Sequence, residues 1–135
     1  MVVPRLQTDL LHLFWLSAQG KLDAAPPVKF SNEAALCVVM AAKGYPGAYQ
    51  KGTVIRGLDR AAAQPNVKIF HAGTQLNAAG EVTAHGGRVL NVVGLGADLK
   101  TAQKNAYAAI KKIDWQDGFY RRDIGWRALE AKNKG

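Results

Sequence analysis

The sequence predicts an α+β domain, β-rich in its centre, with one helix ahead of the sheet and another after the central hairpin. Three observations carry that expectation. Ala34 to Ala42 is a continuous apolar run containing Val38 and Val39, with the length and β-branched content of a buried strand. Val67 to Leu76 and Glu81 to Leu95 are two β-rich arms, and Asn77-Ala78-Ala79-Gly80 between them reads as a hairpin loop. Behind Asp98, a helix cap, the residues Leu99, Ala102, Ala106, Ala109 or Ile110, and Ile113 recur at helical spacing.

The elements follow in order. Pro4 suits the first turn of a helix that is expected to run to about Ala18, with Gly20 as its stop. Leu6, Leu10, Leu13 and Leu16 follow the helical period, and Leu11, Phe14 and Trp15 widen the apolar face past half the circumference. A helix that apolar needs cover on more than one side, so it is expected to pack against another body. Gly20 to Pro27 is a linker, and the strand Ala34 to Ala42 ends in the turn-rich Lys43-Gly44-Tyr45-Pro46-Gly47. Thr53-Val54-Ile55 is a short strand, and Gly57 to Ala63 allows one or two helical turns before Pro65. Gly86-Gly87 interrupts the second hairpin arm and predicts a bulge or bend. Lys111 and Lys112 stand in the last turn of the helix that Asp98 opens, where cations favour the helix dipole. The expected divisions are 1–20 for the interdomain-facing helix, 28–130 for the main domain, and a frayed tail at 131–135.

Composition narrows the function classes. At 135 residues the chain is one domain's worth, large enough to hide roughly two thirds of its unfolded surface. Eighteen Lys and Arg against ten Asp and Glu leave a net charge of +8, which favours an anionic partner. A single cysteine, Cys37, excludes an internal disulfide and a cysteine-based zinc site and fits a reducing cytosol. Inside its apolar run it reads as an inert core thiol. No apolar run approaches the ~20 residues of a membrane span, and Met1-Val2-Val3-Pro4-Arg5 lacks the order of a signal peptide. A cytoplasmic protein without a membrane partner is expected.

The sharpest local feature is Gly86-Gly87-Arg88. Two glycines can turn backbone N–H groups toward one anion, and the arginine after them can fork onto two phosphate oxygens. The alternative is a bulged strand with a surface arginine. Lys43, at a strand end beside a glycine, is a second candidate for a phosphate or carboxylate, against a plain turn built on Gly-Tyr-Pro-Gly. His71 and His85 flank the hairpin and His12 lies on the first helix, but no third ligand is evident, so no metal site is expected. Tyr120-Arg121-Arg122-Asp123-Ile124-Gly125-Trp126-Arg127 is basic and aromatic. It suits stacking on nucleic acid, or equally a packed closing segment whose arginines pair with Asp117 and Asp123. No recognised nucleic-acid module accompanies it, which weighs against that partner. No serine–histidine–aspartate arrangement is present with a meaningful spacing.

Five motifs in order carry a resemblance: Pro4-Arg5-Leu6 with Asp9-Leu10-Leu11, Ala41-Ala42-Lys43-Gly44-Tyr45-Pro46-Gly47, Phe70-His71-Ala72-Gly73-Thr74, Gly86-Gly87-Arg88-Val89-Leu90, and Tyr120-Arg121-Arg122-Asp123-Ile124-Gly125. From Pro4 to Leu129 the chain resembles the C-terminal domain of the phosphoribosylamine–glycine ligase (glycinamide ribonucleotide synthetase) family, of the ATP-grasp superfamily. The resemblance implies a small barrel-like hybrid domain of a purine-biosynthesis enzyme. In that family ATP phosphorylates the glycine carboxylate, the amine of 5-phosphoribosylamine attacks the acyl phosphate, and magnesium neutralises the phosphates.

The family's ATP and magnesium groups, ending in a Phe-Gly-Asp-Pro-Glu motif, would lie just ahead of residue 1, so no cofactor is expected in this chain and no turnover from it alone. The implied share of the work is to close the active site and hold the phosphoribosyl substrate, carried onto Gly86, Gly87 and Arg88 with Lys43 second. The implied partner is the ATP-grasp portion of the same enzyme. The competing readings are a basic module for nucleic acid or another polyanion, and a non-catalytic docking partner of an ATP-grasp chain.

Overall fold

The computed structural model describes residues 2–132. The helices are α1 (Leu10–Ala18), α2 (Leu58–Ala62), α3 (Leu99–Ile110) and α4 (Trp126–Lys132). The strands are β1 (Ala34–Ala42), β2 (Thr53–Val54), β3 (Val67–His71), β4 (Thr74–Leu76), β5 (Val82–Ala84), β6 (Arg88–Gly96) and β7 (Gly118–Phe119). They form two sheets, one in the order β3-β6-β1-β7 and one in the order β2-β5-β4. Every pairing is antiparallel. The class is α+β as expected, but the sheets stay open and no barrel closes.

Helix α3 covers one face of the larger sheet. Leu36, Val38 and Met40 of β1 and Leu90 and Val92 of β6 meet Ala102, Ala106, Ala109 and Ile110 there, and all are buried. The helix comes so close because its inner face is alanine and the strand opposite carries Gly94. A Cβ on Gly94 would sit 2.6 Å from the Ala106 amide nitrogen. Asp98 caps α3 as expected, accepting from the Thr101 amide at 2.7 Å. The helix ends at Ile110 rather than near Ile113, because Ile113 and Trp115 turn back into the core. The Trp115 indole N–H donates to Thr53 Oγ1 at 2.9 Å.

The hairpin arms are each broken once. Val67–His71 pairs with Leu90–Gly94 in the larger sheet, and Thr74–Leu76 pairs with Val82–Ala84 in the smaller one. Between the two ladders Ala72 and Gly73 stand against the five residues His85 to Val89, so the second arm is the longer by three and the hairpin bends from sheet to sheet. At the loop, Asn77 Oδ1 accepts from the amides of Ala79 and Glu81 at 3.0 and 2.9 Å.

The first helix starts later than the position of Pro4 suggests. Pro4 opens only a 3-10 turn, Val3–Arg5. Leu6 then bridges Phe30, and the Gln7 amide donates to Lys29 O at 2.9 Å, which holds this stretch extended. The α-helix begins after Asp9, whose carboxylate accepts from the amides of Leu11 and His12 at 2.9 and 3.2 Å. A side-chain cap satisfies two orphan amides, whereas proline only removes one. At the other end of the chain, Ala131 and Lys132 complete α4, and the rest of the expected frayed tail, 133–135, lies outside the described residues. Among the described residues, no helix is long and apolar enough to cross a membrane.

Candidate functional site

The site is built where the hairpin changes sheets. Gly73 and Gly86 meet backbone to backbone: a Cβ on Gly73 would lie 2.6 Å from Gly86 Cα. The amides of His85 and Gly86 both donate to Gly73 O, at 2.8 and 2.9 Å. Gly87 is buried beneath the ring of Tyr45, and any Cβ there would run into that ring. Tyr45 is held in place by its own amide on Ala42 O at 3.0 Å and by an edge-on contact with Tyr49, centroids 6.3 Å apart. The Gly87 carbonyl accepts from the Ala42 amide at 2.8 Å, which ties the bend to the end of β1.

These approaches leave a concavity of about 560 Å³ lined by Val39, Tyr45, Ala72, Gly73, Gly87, Arg88 and Asn91. Arg88 is exposed, and among the described residues its guanidinium takes part in no ion pair or side-chain hydrogen bond. The glycines serve close approach rather than an amide nest. Neither Gly86 nor Gly87 has a positive φ, and the Gly86 amide is already bonded to Gly73. What the arrangement offers an anion is therefore the unpaired side chain of Arg88 among the residues that line the concavity. Lys43 also lies at the end of β1, but it is not among the residues that line the concavity, and its amide donates to Asp117 O at 2.8 Å.

The remaining sequence candidates separate. His71 Nδ1 lies 3.0 Å from Thr74 Oγ1, and among the described residues no three His, Cys, Asp or Glu side chains converge on a metal position. Cys37 lies on the sheet face away from α3 rather than in the core. It is half-buried, its Sγ is 3.9 Å from Asn91 Oδ1, and burial pushes its thiol pKa up.

The basic tail is a packed closing segment. Tyr107 donates its hydroxyl to Arg121 O at 2.8 Å and accepts from the Ile124 amide, while Gln103 donates to Ile124 O at 2.7 Å. Arg121 pairs with Asp123 through two bonds of 2.9 and 2.6 Å, and Arg127 stacks over Trp126 at 5.3 Å. The hydrogen bond to Arg121 holds the Asp123 carboxyl below the usual range. Asp117, the other expected partner, instead gives its carbonyl to Lys43.

Sequence reasoning assigned no site role to Gly73, Tyr45 or Asn91. Gly73 was findable: counting outward from the hairpin loop sets it against His85, beside the diglycine. It did not point to the groove of about 740 Å³ between α2 and the end of α3, lined by Arg60, Lys111, Lys112 and Asp114 among others. That groove assembles only in three dimensions.

A family model described as "Phosphoribosylglycinamide synthetase, C domain" matches residues 35–127. The phosphoribosylamine–glycine ligase of Mesorhizobium japonicum is 54% identical over 96% of this chain and 30% of its own length. The chloroplastic enzyme of that name from Arabidopsis thaliana is 45% identical over 98% of this chain and 25% of its own. The crystal structure of phosphoribosylamine–glycine ligase from Thermotoga maritima superposes with a TM-score of 0.64 at 32% identity, covering 82% of this chain and 27% of that one. The chain thus spans less than a third of the length of these relatives. With the C-domain model matching through both sheets and α3, and with ligases near half identical along almost all of it, the chain belongs to the phosphoribosylglycinamide synthetase C-domain family.

Proposed function

We propose that this chain is the C-terminal portion of a phosphoribosylamine–glycine ligase, and that it holds the substrate phosphate and helps close the active site. The whole enzyme would use ATP to activate the carboxylate of glycine, and the amine of 5-phosphoribosylamine would displace phosphate to give glycinamide ribonucleotide. The carrying observation is that Arg88, exposed and without an ion pair, lines the same concavity as Tyr45 and Gly87. A phosphate monoester carries close to two negative charges, and a planar guanidinium can meet two of its oxygens at once. Gly73, Gly86 and Gly87 support the site by letting the two hairpin arms and the Tyr45 ring approach without side chains between them. Lys43, just before the Gly44-Tyr45 turn, is the second candidate for the same anion.

ATP and magnesium belong, in this reading, to the portion of the enzyme outside the chain. Among the described residues no three His, Cys, Asp or Glu side chains converge, and no step here runs through a metal ion. The partners are the phosphoribosyl substrate and the ATP-grasp portion, and the reading places the chain in the cytosol.

Calorimetric titration with ribose 5-phosphate, ribose and a mixed-sequence oligonucleotide tests the assignment. The sugar phosphate is expected to bind and ribose not to. Arg88→Ala is expected to abolish the binding, and retention of full affinity in that variant would sink it. The purified chain is also expected to release no phosphate in the presence of glycine, 5-phosphoribosylamine, ATP and magnesium. Turnover by the chain alone would refute the division of labour.

The groove of Arg60, Lys111 and Lys112 favours a second reading, a basic module for a polyanion. Steeply salt-dependent binding of the oligonucleotide, without selectivity for sugar phosphate and unaffected by Arg88→Ala, is what that reading expects.

A further inference from the structure

Two concavities meet at one residue of β6. The first is the concavity lined by Tyr45, Gly87 and Arg88. The second, of about 520 Å³, is lined by Val3, Pro4, Phe70, Val93 and Asn91 among others. Asn91 lines both.

A fault in the β1–β6 ladder brings Arg88 and Asn91 together. Along a regular strand, residues three apart point to opposite faces. Here Met40 pairs with Leu90 while Ala41 pairs with Arg88, so Val89 is an extra residue in β6 and the alternation resets there. Leu90 and Val92 join the core with α3, and Arg88 and Asn91 line one concavity.

Asn91 is the polar member of an apolar row. It pairs with Val39 of β1 on one side and with Phe70 of β3 on the other, and directly opposite residues of neighbouring strands share a face. Val39 and Phe70 are 36% and 41% exposed. The Asn91 Oδ1 meets the Cys37 thiol at 3.9 Å, and its amide nitrogen makes no hydrogen bond among the described residues. Along β6 the lining therefore runs from a cation without an ion pair, Arg88, through a free amide, Asn91, to the apolar hollow of Val93, with the Phe70 ring beside it. A mostly apolar hollow with a few polar groups at fixed places is the usual make-up of a small-molecule site.

We propose that the two concavities form one site for a free nucleoside 5′-monophosphate, with the phosphate on Arg88, a sugar hydroxyl on the Asn91 amide and the base in the apolar hollow against Phe70. The order of these groups along β6 is the order of phosphate, sugar and base in the ligand. A sugar phosphate alone leaves the second hollow empty. The nucleotide shares Arg88 with the phosphoribosyl substrate, so it competes with that substrate and makes the site a point of inhibition. The inference rests on reading Arg88 as the phosphate contact, and it adds Asn91 and Phe70 to that reading.

Calorimetric titration of the full chain with adenosine 5′-monophosphate and with ribose 5-phosphate tests it. The nucleotide is expected to bind about tenfold tighter or better, because a base on an aromatic ring adds that much, and ribose 5-phosphate is expected to displace it. Phe70→Ala is expected to bring the nucleotide down to the affinity of the sugar phosphate, which itself does not change. Asn91→Leu, close in volume, is expected to weaken both ligands by about fivefold, since both carry the sugar. Should Phe70→Ala fail to fold, the native chain still answers: nuclear Overhauser contacts are expected between the adenine ring protons and the ring protons of Phe70.

The proposal is overturned if the nucleotide binds no tighter than the sugar phosphate, if Phe70→Ala weakens both ligands equally or neither, or if the adenine protons contact other residues and not Phe70. In each of these cases ribose 5-phosphate binding that Arg88→Ala abolishes leaves the phosphate assignment standing. Full affinity of both ligands for Arg88→Ala, or binding of neither by the native chain, overturns the phosphate assignment and this site with it.

Discussion

Close packing without side chains occurs at both ends of β6, and the two ends use it differently. At the far end Gly94 lies against the backbone of α3, with Ala102 and Ala106 over it, and the strand–helix contact is part of the core. Just ahead of the near end Gly86 touches Gly73, and Gly87 lies under the Tyr45 ring; what results is a concavity with Arg88 in its lining. The comparison teaches that a missing Cβ is a stability device where a helix covers it and a site-shaping device where a single ring does. The difference lies in what would have to move: a whole helix backbone in one case, one partly exposed tyrosine in the other.

The comparison can be broken by adding methyl groups at the two ends. Gly94→Val is expected to have the largest effect, about 3 kcal/mol or more of lost stability, because overpacking here meets helix backbone that cannot shift alone. A denaturant midpoint near wild type would show that α3 can ride up, and the distinction between the ends would fail. Gly87→Ala is expected to cost less, about 1–2 kcal/mol, because the Tyr45 ring can swing aside. Its sharper readout is the tyrosine environment near 280 nm together with weaker ribose 5-phosphate binding.

Arg88→Ala should leave stability within about 0.5 kcal/mol, since the side chain is exposed and unpaired, while removing sugar-phosphate binding. A large stability loss would mean that the guanidinium has structural partners.

The smallest effect is expected far from both ends, in the exposed Arg121–Asp123 pair. Its hydrogen bond lowers the Asp123 pKa in the folded chain. The pair therefore adds stability above the unfolded carboxylate pKa of about 3.9, and loses it as pH falls through the lowered folded value. An NMR titration of the Asp123 carboxyl carbon should give a midpoint below the ordinary range that moves back up at high salt. A midpoint at the ordinary value in low salt would dissolve the pair.

Local signals were readable wherever the chemistry is local. The run from Ala34 to Ala42 is β1 with the bounds its apolar pattern suggests, and Asp98 is the cap its position before α3 predicts. The diglycine was legible as a bend, and Arg88 as the residue beside it. Pro4 misleads as a helix start, because the bridge from Leu6 to Phe30 is a contact across distant residues that no window around Pro4 contains. The division of the hairpin between two sheets was likewise hidden, since it depends on Gly73 meeting Gly86 and on which neighbour, β1 or β2, completes each ladder.

The order of residues by itself determined the α+β class, the strand of the core, the helix after the hairpin, the positive charge and the motifs that mark the family. These follow from periodicity, capping and turn chemistry, which act over a few residues. Tertiary structure alone decided that the Gly86 amide is spent on Gly73, that Tyr45 covers Gly87, that Lys43 stands outside the concavity while Arg88 lines it, and that the outer stripe of α1 is left bare. Each of these depends on segments distant in sequence arriving at one point, and close contact is a property of positions in space that residue order fixes only through the whole fold.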